Sequence, residues 1–186
     1  MNAPYAVHGK YACFFQGPLS QWYQSDFRDG DLTFCCCEQA MMFRKAELFG
    51  DQESMQKIMA TKNPREHKRL GRLVEGFDAG IWANHNRDII LRNNILKFEA
   101  SEHLRDILFG SENLIFVEAS PWDTIYGIGR GLDWPHLADE TTWRGENLLG
   151  FVLTETRDHL RQKMPQSQWV REQSGILSGW HRMNPS

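Results

Sequence analysis

Two residues able to donate and accept protons, Glu38 and Lys45, lie seven positions apart in the apolar segment 34–49. At 3.6 residues per turn this spacing predicts a helix that carries both on one face, roughly 10 Å apart along its axis. Long charged side chains are seldom buried unless they are paired or used. The two side chains therefore either reach the edges of the buried face as structural charges or converge on a ligand across the helix. Four apolar residues share that face, which we expect to point inward: Met41, Met42, Leu48 and Phe49.

A second candidate group follows a predicted buried strand at residues 113–118, where the chain enters a glycine-rich loop. Catalytic groups often lie where a rigid strand gives way to a loop, which makes Asp123 a candidate carboxylate. Trp122 and Tyr126 flank it and can stack on a planar base or a ribose. Taken alone, Asp123 could equally cap a turn, and Trp122 could anchor the core.

Other chemistry finds little support in the sequence. The glycines at 127, 129 and 131 lack the flanking residues of a nucleotide-binding loop, so they indicate a turn that allows close backbone approach. The seven histidines are scattered without metal-ligand spacing. Cys35, Cys36 and Cys37 are adjacent, and neighbouring side chains diverge, so with Cys13 they predict free buried thiols in a reducing compartment. We therefore expect neither a metal nor a cofactor.

Length and charge narrow the class of protein further. The 186 residues are enough for one well-packed domain, and a net charge of −3 provides no extended basic surface for nucleic acid. The sequence contains no apolar run long enough to cross a membrane and no secretory signal pattern, which predicts a cytoplasmic protein. The oligomeric state is left open.

Hydrophobic periodicity predicts a mainly α-helical single domain with a few short strands over residues 11–162, and a polar, loosely docked tail at 163–186. Strands are expected at 11–16 and 32–35, the second closing a turn at 28–31. Asn63, Pro64 and Glu66 predict a capping-box helix start, and Ser101 predicts another helix N-terminus. The aromatic loop 119–146 is expected to be ordered and functional. Further helices are predicted at 36–49, 51–60, 81–98 and 147–160.

Six motifs in order give the chain a family resemblance. Residues 19–22 form a serine-containing loop after Phe15, and Glu38 and Lys45 match a signature helix that carries these two residue types. With these motifs the chain resembles the NADAR superfamily of YbiA-like N-glycosidases, whose fold is multihelical. The remaining matches are Pro64 with Gly71-Arg72, Trp82 with Lys97-Phe98, Glu118 and Ser120 with Asp123 and Tyr126-Gly127, and Gly145-x-Asn147-x-Leu149-Gly150.

Some residues depart from the family pattern. Gln39 and Ala40 replace the usual histidine and tyrosine after the helix glutamate, Tyr126 replaces tryptophan, and Gln21 replaces asparagine. These changes leave Glu38, Lys45 and Asp123 in place but alter the pocket walls, where substrate specificity is determined.

The resemblance implies a hydrolase that cleaves the N-glycosidic bond between ribose and a base or amine. Implied substrates are ribosylamino-pyrimidine phosphates of riboflavin biosynthesis, or alternatively ADP-ribosylated guanine in nucleic acid. Glu38 and Asp123 are then candidates to stabilise positive charge at C1, and Lys45 is a candidate general acid or Schiff-base nucleophile. A third possibility is a non-catalytic module that binds ADP-ribose or NAD derivatives.

The resemblance also suggests which residues bind the substrate. Arg72, Lys97 and Arg130 are candidates to hold a phosphate. Aromatic residues are candidates to stack on the base, and a few small or polar residues complete the predicted site: Trp22, Trp82, Trp122 and Tyr126, with Ser20, Gly127 and Asn147.

Overall fold

Six α-helices and five short β-strands form the part of the chain that the structure, a computed structural model, describes: residues 4–164. They confirm the predicted mainly helical, single-domain fold. Helix α6 continues to Lys163 and Met164 packs against the core, while the rest of the predicted tail lies outside the described residues. In chain order the elements are β1 (Ala6–His8), β2 (Tyr11–Phe14), β3 (Phe27–Asp29), β4 (Leu32–Phe34), α1 (Cys37–Leu48), α2 (Gln52–Met59), α3 (Pro64–Gly71), α4 (Ala79–Glu99), α5 (Glu102–Phe109), β5 (Ile115–Glu118) and α6 (Leu148–Lys163).

A three-stranded sheet of order β1-β2-β5 brings two distant loops together. Strands β2 and β5 pair in parallel, with Phe14 opposite Glu118 at their carboxyl ends. Because parallel strands end at the same edge, the loop that follows β2 lies beside the loop that follows β5. Strand β1, which the sequence analysis did not predict, pairs antiparallel on the other side of β2. The predicted turn at 28–31 joins β3 and β4 into a separate antiparallel hairpin.

Helix α1 is buried on most of its circumference, beyond the single inward face that its spacing predicts. Every residue from Cys37 to Phe43 is buried, including Glu38 and Gln39. Helix α3 can approach α1 closely because Gly71 has no side chain: a Cβ there would lie 1.8 Å from Met42 Sδ. The helix that carries Glu38 and Lys45 is thus central to the fold, and α3 is packed tightly against it.

Short polar side chains fix the starts of α3 and α5, as the sequence predicts. The Asn63 side chain accepts from the Arg65 backbone N–H at the start of α3, and Ser101 accepts from the Leu104 N–H at the start of α5. The predicted capping box is wrong in one respect, because the Glu66 carboxylate pairs with Arg69 on the same helix.

Asn147 connects the end of the long loop to strand β5. Its amide donates to the Phe116 carbonyl and its Oδ1 accepts from the Glu118 N–H, at 3.0 Å each. Its backbone is left-handed, with φ of 55°, a conformation that asparagine tolerates better than most residues. Asn147 therefore fixes the strand end that carries Glu118.

Candidate active site

A cleft of about 1050 Å³ opens at the sheet edge where β2 and β5 end. It is bounded by the two adjacent loops, by the first turns of α1 and by one face of α3. Seventeen residues line it. The polar lining residues that could act on a ligand are Ser20, Gln21, Glu38, Arg65, Lys68, Glu118, Ser120 and Asp123.

Glu38 stands in the first turn of α1 with only 3% of its surface exposed. Burial raises the pKa of its carboxyl to about 7, although Lys68 and the Trp22 indole N–H oppose the rise. Among the described residues, its Oε1 has no hydrogen-bond partner. A buried carboxyl oxygen without a hydrogen-bond partner lowers the stability of the fold by about 1–3 kcal/mol. Such an oxygen at the wall of a cleft is typical of a group that binds a ligand.

Glu118 ends strand β5 and reaches the same cleft. Burial raises the pKa of Glu118 to about 8, and repulsion by Asp123 adds to the rise, while Lys68 opposes it. Two carboxyl groups with pKa values near neutral pH therefore face one cleft. This is an arrangement suited to general acid–base catalysis, which works best when the pKa lies near the working pH.

Asp123 is held by the backbone of its own loop and also faces the cleft. Its Oδ1 accepts from the backbone N–H groups of Ile125 and Tyr126, which is the turn-capping arrangement. Its Oδ2 lies 3.5 Å from the Lys68 Nζ, on the cleft side. The same carboxylate is thus held by the loop and paired with a cation contributed by α3.

Aromatic side chains form the walls of the cleft. Trp122 is 84% exposed, and its ring centroid lies 6.1 Å from that of Phe15. Trp22 is 40% exposed on the opposite loop, and its backbone N–H donates to the Ser20 hydroxyl. Burial raises the pKa of Tyr126 to about 12. These rings offer apolar faces on which a planar base can stack.

The structure places Lys45 beside the cleft and not on its lining. Its Nζ donates to the Gly71 carbonyl at 2.7 Å and lies 3.8 Å from the centre of the Phe77 ring. Desolvation lowers the pKa of this amine. Trp82 is close to both Lys45 and Tyr126: the Lys45 Nζ lies 5.7 Å from the centre of the Trp82 ring, and the Trp82 indole N–H donates toward the Tyr126 hydroxyl. Direct participation of Lys45 stays a prediction.

Arg72 lies in a smaller hollow of about 440 Å³ that adjoins the cleft through Trp22, Arg65 and Lys68. Arg69 and its partner Glu66 complete the lining of this hollow. Basic residues outnumber acidic ones here, so the rim of the cleft on the α3 side is suited to an anionic group.

Four predicted binding residues have structural positions instead. Lys97 is fully buried, and its Nζ donates to the Pro18 and Ser20 carbonyls, which fixes the Ser20 loop. Asn147 is fully buried against β5, as described above. A Cβ on Gly127 would lie 2.9 Å from the Glu118 carbonyl oxygen, so this glycine allows the loop to reach the strand end. Arg130 stacks on Trp134, 3.9 Å from its ring centre, away from the cleft.

Lys68 and Glu118 were absent from the predicted site. A signal for Lys68 was available, since Arg65, Lys68 and Arg72 are spaced three and four positions apart and so share one face of α3. The signal for Glu118 was an acidic residue at the end of an otherwise apolar strand, where desolvation is strongest.

The family model of the NADAR domain matches residues 13–161. The chain therefore belongs to the NADAR family. N-glycosidase R617 of Acanthamoeba polyphaga mimivirus is 38% identical over 149 residues, which cover 77% of this chain and 88% of that protein. The predicted enzyme class, an N-glycosidase-type hydrolase, is confirmed.

Two other curated proteins are similar over less of their length. Protein irg-1 of Caenorhabditis elegans is 36% identical over 144 residues, which cover 76% of this chain and 64% of that protein. A chloroplastic riboflavin biosynthesis protein, PYRR of Zea mays, is 30% identical over 125 residues, or 65% of this chain and 18% of that protein.

Among solved structures, the NMR structure of the E. coli protein YbiA has the same fold, with a TM-score of 0.69. The two chains are 20% identical, and the alignment covers 87% of this chain and 91% of YbiA. Within residues 4–164, no helix has both the length and the apolar composition that crossing a membrane requires.

Proposed function

We propose that this enzyme hydrolyses the bond between C1 of a ribose 5-phosphate unit and the nitrogen of a base or amine, with ribosylamino-pyrimidine phosphates as the first candidates. The observation that carries the proposal is the convergence of Glu38, Glu118 and Asp123 with Lys68 in one cleft. The name of the maize relative, a riboflavin biosynthesis protein, supports the choice of an intermediate of riboflavin biosynthesis as substrate. The substrate would be a small molecule, and no metal or cofactor is needed for this chemistry.

The cleavage needs a proton donor and a carboxylate on the ribose side. As the C1–N bond breaks, C1 becomes oxocarbenium-like and the leaving nitrogen needs a proton. Glu38, whose pKa is raised to about 7, is protonated in many molecules near neutral pH and can supply that proton. Asp123 then faces the cationic C1 and accepts a proton from the water that adds there. Both carboxyls return to their starting states by exchange with solvent through the open cleft.

The two lysines have different parts in this mechanism. Lys68 lines the cleft, and we assign it the pairing with Asp123 and the attraction of the anionic substrate. Lys45 holds the Gly71 carbonyl at the end of α3 and so positions Arg72, which follows it in sequence. The alternative predicted from sequence, in which the Lys45 amine acts directly on the sugar, requires the contact with Gly71 to break.

The substrate would lie with its phosphate toward α3 and its base between the aromatic walls. Arg65 and Arg72 lie on the α3 side of the cleft and its adjoining hollow, where guanidinium groups can bind phosphate oxygens in pairs. Trp22 and Trp122 lie on the two loops that flank the opening. Gln21, whose Oε1 has no partner among the described residues, can accept from a base amino group.

ADP-ribosylated guanine is the second candidate substrate. The adjoining basic hollow and the highly exposed Trp122 extend the binding surface beyond what a monophosphate fills. A diphosphate along α3 and an adenine stacked on an exposed indole would use this surface. A module that only binds ADP-ribose is disfavoured, since binding does not need a buried carboxyl such as Glu38 without a partner.

Chromatography with mass detection tests the proposal. Purified enzyme is incubated with a ribosylamino-pyrimidine 5′-phosphate in one reaction and with ADP-ribosylguanosine in another, beside Asp123→Asn as the inactive control. Release of ribose 5-phosphate supports the first candidate, and release of ADP-ribose supports the second. Binding of ADP-ribose without cleavage of either compound would overturn the enzymatic proposal.

A further inference from the structure

A buried cluster behind the cleft joins the start of α1 to α3. The Sγ atoms of Cys35 and Cys36 lie 4.0 Å apart, and the Cys36 Sγ lies 3.8 Å from His67 Nδ1. All three side chains are buried, and their potential ligand atoms lie within 4.8 Å of one another. The expectation that adjacent cysteine side chains diverge holds only for Cys37, whose Sγ lies against the Asn93 carbonyl. None of the three residues lines the cleft.

We propose that Cys35, Cys36 and His67 bind a zinc ion. The separations of the ligand atoms are close to those of a tetrahedral zinc site. Bond lengths of about 2.3 Å to sulfur and about 2.0 Å to nitrogen place two sulfurs about 3.8 Å apart, and a sulfur and a nitrogen about 3.5 Å apart. The observed 4.0 and 3.8 Å therefore need only small side-chain shifts. The Lys62 carbonyl oxygen, 4.0 Å from the Cys35 Sγ, is placed to serve at the fourth position.

His67 is already oriented for a metal. Its Nε2 lies 2.9 Å from the Thr61 carbonyl oxygen, which can only accept, so Nε2 carries the hydrogen. In a neutral imidazole the lone pair then belongs to Nδ1, the nitrogen that faces Cys36. Donation from the second ring nitrogen to a carbonyl is the usual way in which proteins orient a histidine ligand.

Gln39 fixes both sides of the cluster. Its Oε1 accepts from the Cys35 backbone N–H at 2.8 Å, and its Nε2 donates to the Ile58 and Thr61 carbonyls at 3.1 and 3.0 Å. The Thr61 carbonyl is the group that orients His67. The Gln39 side chain thus fixes the position of Cys35 relative to the loop that contains Thr61.

The charge balance and the softness of the ligands favour zinc. Two thiolates neutralise a divalent cation, so the loaded cluster is neutral and can be buried without an unpaired charge. Binding releases the two thiol protons to solvent. Thiolate and imidazole ligands are preferred by zinc and rejected by magnesium and calcium. Residues 62 and 63 in the overlying loop are exposed and give the ion a route to the site.

The ion would connect the two helices of the active site. Cys36 precedes α1 two residues before Glu38, and His67 is adjacent to Lys68 on α3. A metal bridge at this point would hold the spacing between the acid and the amine of the cleft. The bridge does not depend on the proposed reaction, because its ligands make no contact with the substrate.

Metal content and cobalt spectroscopy test the site directly. The full chain is stripped with a chelator under reducing conditions, and its zinc content is measured after reconstitution and desalting. Cobalt substitution should give an intense thiolate-to-cobalt charge-transfer band at one equivalent of metal. We expect zinc binding and the band in the wild type and in Cys37→Ser, the matched control with a neighbouring buried thiol. We expect both to be lost in Cys36→Ser and in His67→Ala.

The zinc content and the cobalt spectrum of the wild type test the site even if a variant fails to fold. Wild-type protein that takes up no zinc, or binds cobalt without the charge-transfer band, would overturn the site. A disulfide between Cys35 and Cys36 that persists after treatment with reductant, detected as a mass lower by two hydrogens, would also overturn it. Retention of zinc by folded Cys36→Ser would do the same.

Discussion

The Nζ of Lys68 lies 3.5 Å from the Oδ2 of Asp123, an ion pair between α3 and the loop that follows β5. The pair joins two elements across the cleft whose paired residues are 55 positions apart in the sequence. It also places a cation beside the two carboxyls whose pKa values are raised, Glu38 and Glu118. Near neutral pH, the carboxyl groups of Glu38 and Glu118 are therefore each present in both the protonated and the ionised form.

Substitution of the two lysines should separate their roles. Lys68→Met should lower kcat/KM by about 100-fold or more, because a charge that faces the substrate is lost. Lys45→Met should lower the melting temperature by removing the contact with the Gly71 carbonyl, with a smaller loss of kcat/KM. Steady-state kinetics and thermal denaturation of both variants measure this difference. If Lys45→Met were stable but had lost most of its turnover, while Lys68→Met had a nearly normal kcat/KM, Lys45 and not Lys68 would be the lysine that acts in catalysis.

Burial of Glu38 should make both activity and stability depend on pH. The pKa of this carboxyl is raised from 4.5 to about 7, so the folded protein holds a proton that the unfolded chain releases. Stability from this group is complete below about pH 4.5 and is lost as pH rises through about 7, in total on the order of 3 kcal/mol. As a general acid, Glu38 should also give a kcat that falls above about pH 7.

Glu38→Gln provides the matched variant, because its side chain is neutral at every pH. Its free energy of unfolding should equal that of the wild type in acid and exceed it at pH 8. Its kcat should be low throughout. Denaturant titrations at several pH values measure the difference, and a variant as pH-dependent as the wild type would contradict the assignment to Glu38.

Arg72 should bind the phosphate of the substrate. Arg72→Gln should raise KM about tenfold for a phosphorylated substrate and leave kcat nearly unchanged, because the phosphate is remote from the breaking bond. KM for the dephosphorylated compound should not change. Arg28→Gln, an exposed arginine on the β3 strand, is the control. An equal rise in KM for both compounds would show that Arg72 does not bind the phosphate.

Sequence reasoning was sufficient for the existence of the helices and for the caps of α3 and α5, because apolar periodicity and residues such as Asn63 act locally. It also selected Asp123, which the structure places on the cleft lining, because the position of this residue just after a buried strand is a local feature. It missed Lys68, although the spacing of the basic residues on α3 was a local signal for it. It also missed the Cys36–His67 contact, because that contact depends on how closely α3 packs on α1. That distance is set by Gly71 against Met42, a tertiary contact that no local pattern reports. Lys97 was assigned to phosphate binding because the sequence does not show that this side chain is fully buried.

Asn147 should be important for stability and not for substrate contact. Asn147→Ala removes two buried hydrogen bonds to β5 and places alanine in a left-handed conformation, at a cost of about 2–5 kcal/mol. The melting temperature should fall, while KM of the folded fraction stays close to normal. Asn84→Ala, an exposed asparagine on α4, should change neither quantity. A stable Asn147→Ala with a raised KM would instead support the predicted contact with substrate.

The most direct test of the central claim is product analysis with wild-type enzyme and Asp123→Asn on the ribosylamino-pyrimidine 5′-phosphate. The account predicts that wild type releases free base and ribose 5-phosphate in equal amounts, and that Asp123→Asn binds the substrate but releases at least about 100-fold less. Equal release by both proteins, or binding by wild type with no cleavage of this compound or of ADP-ribosylguanosine, would contradict it.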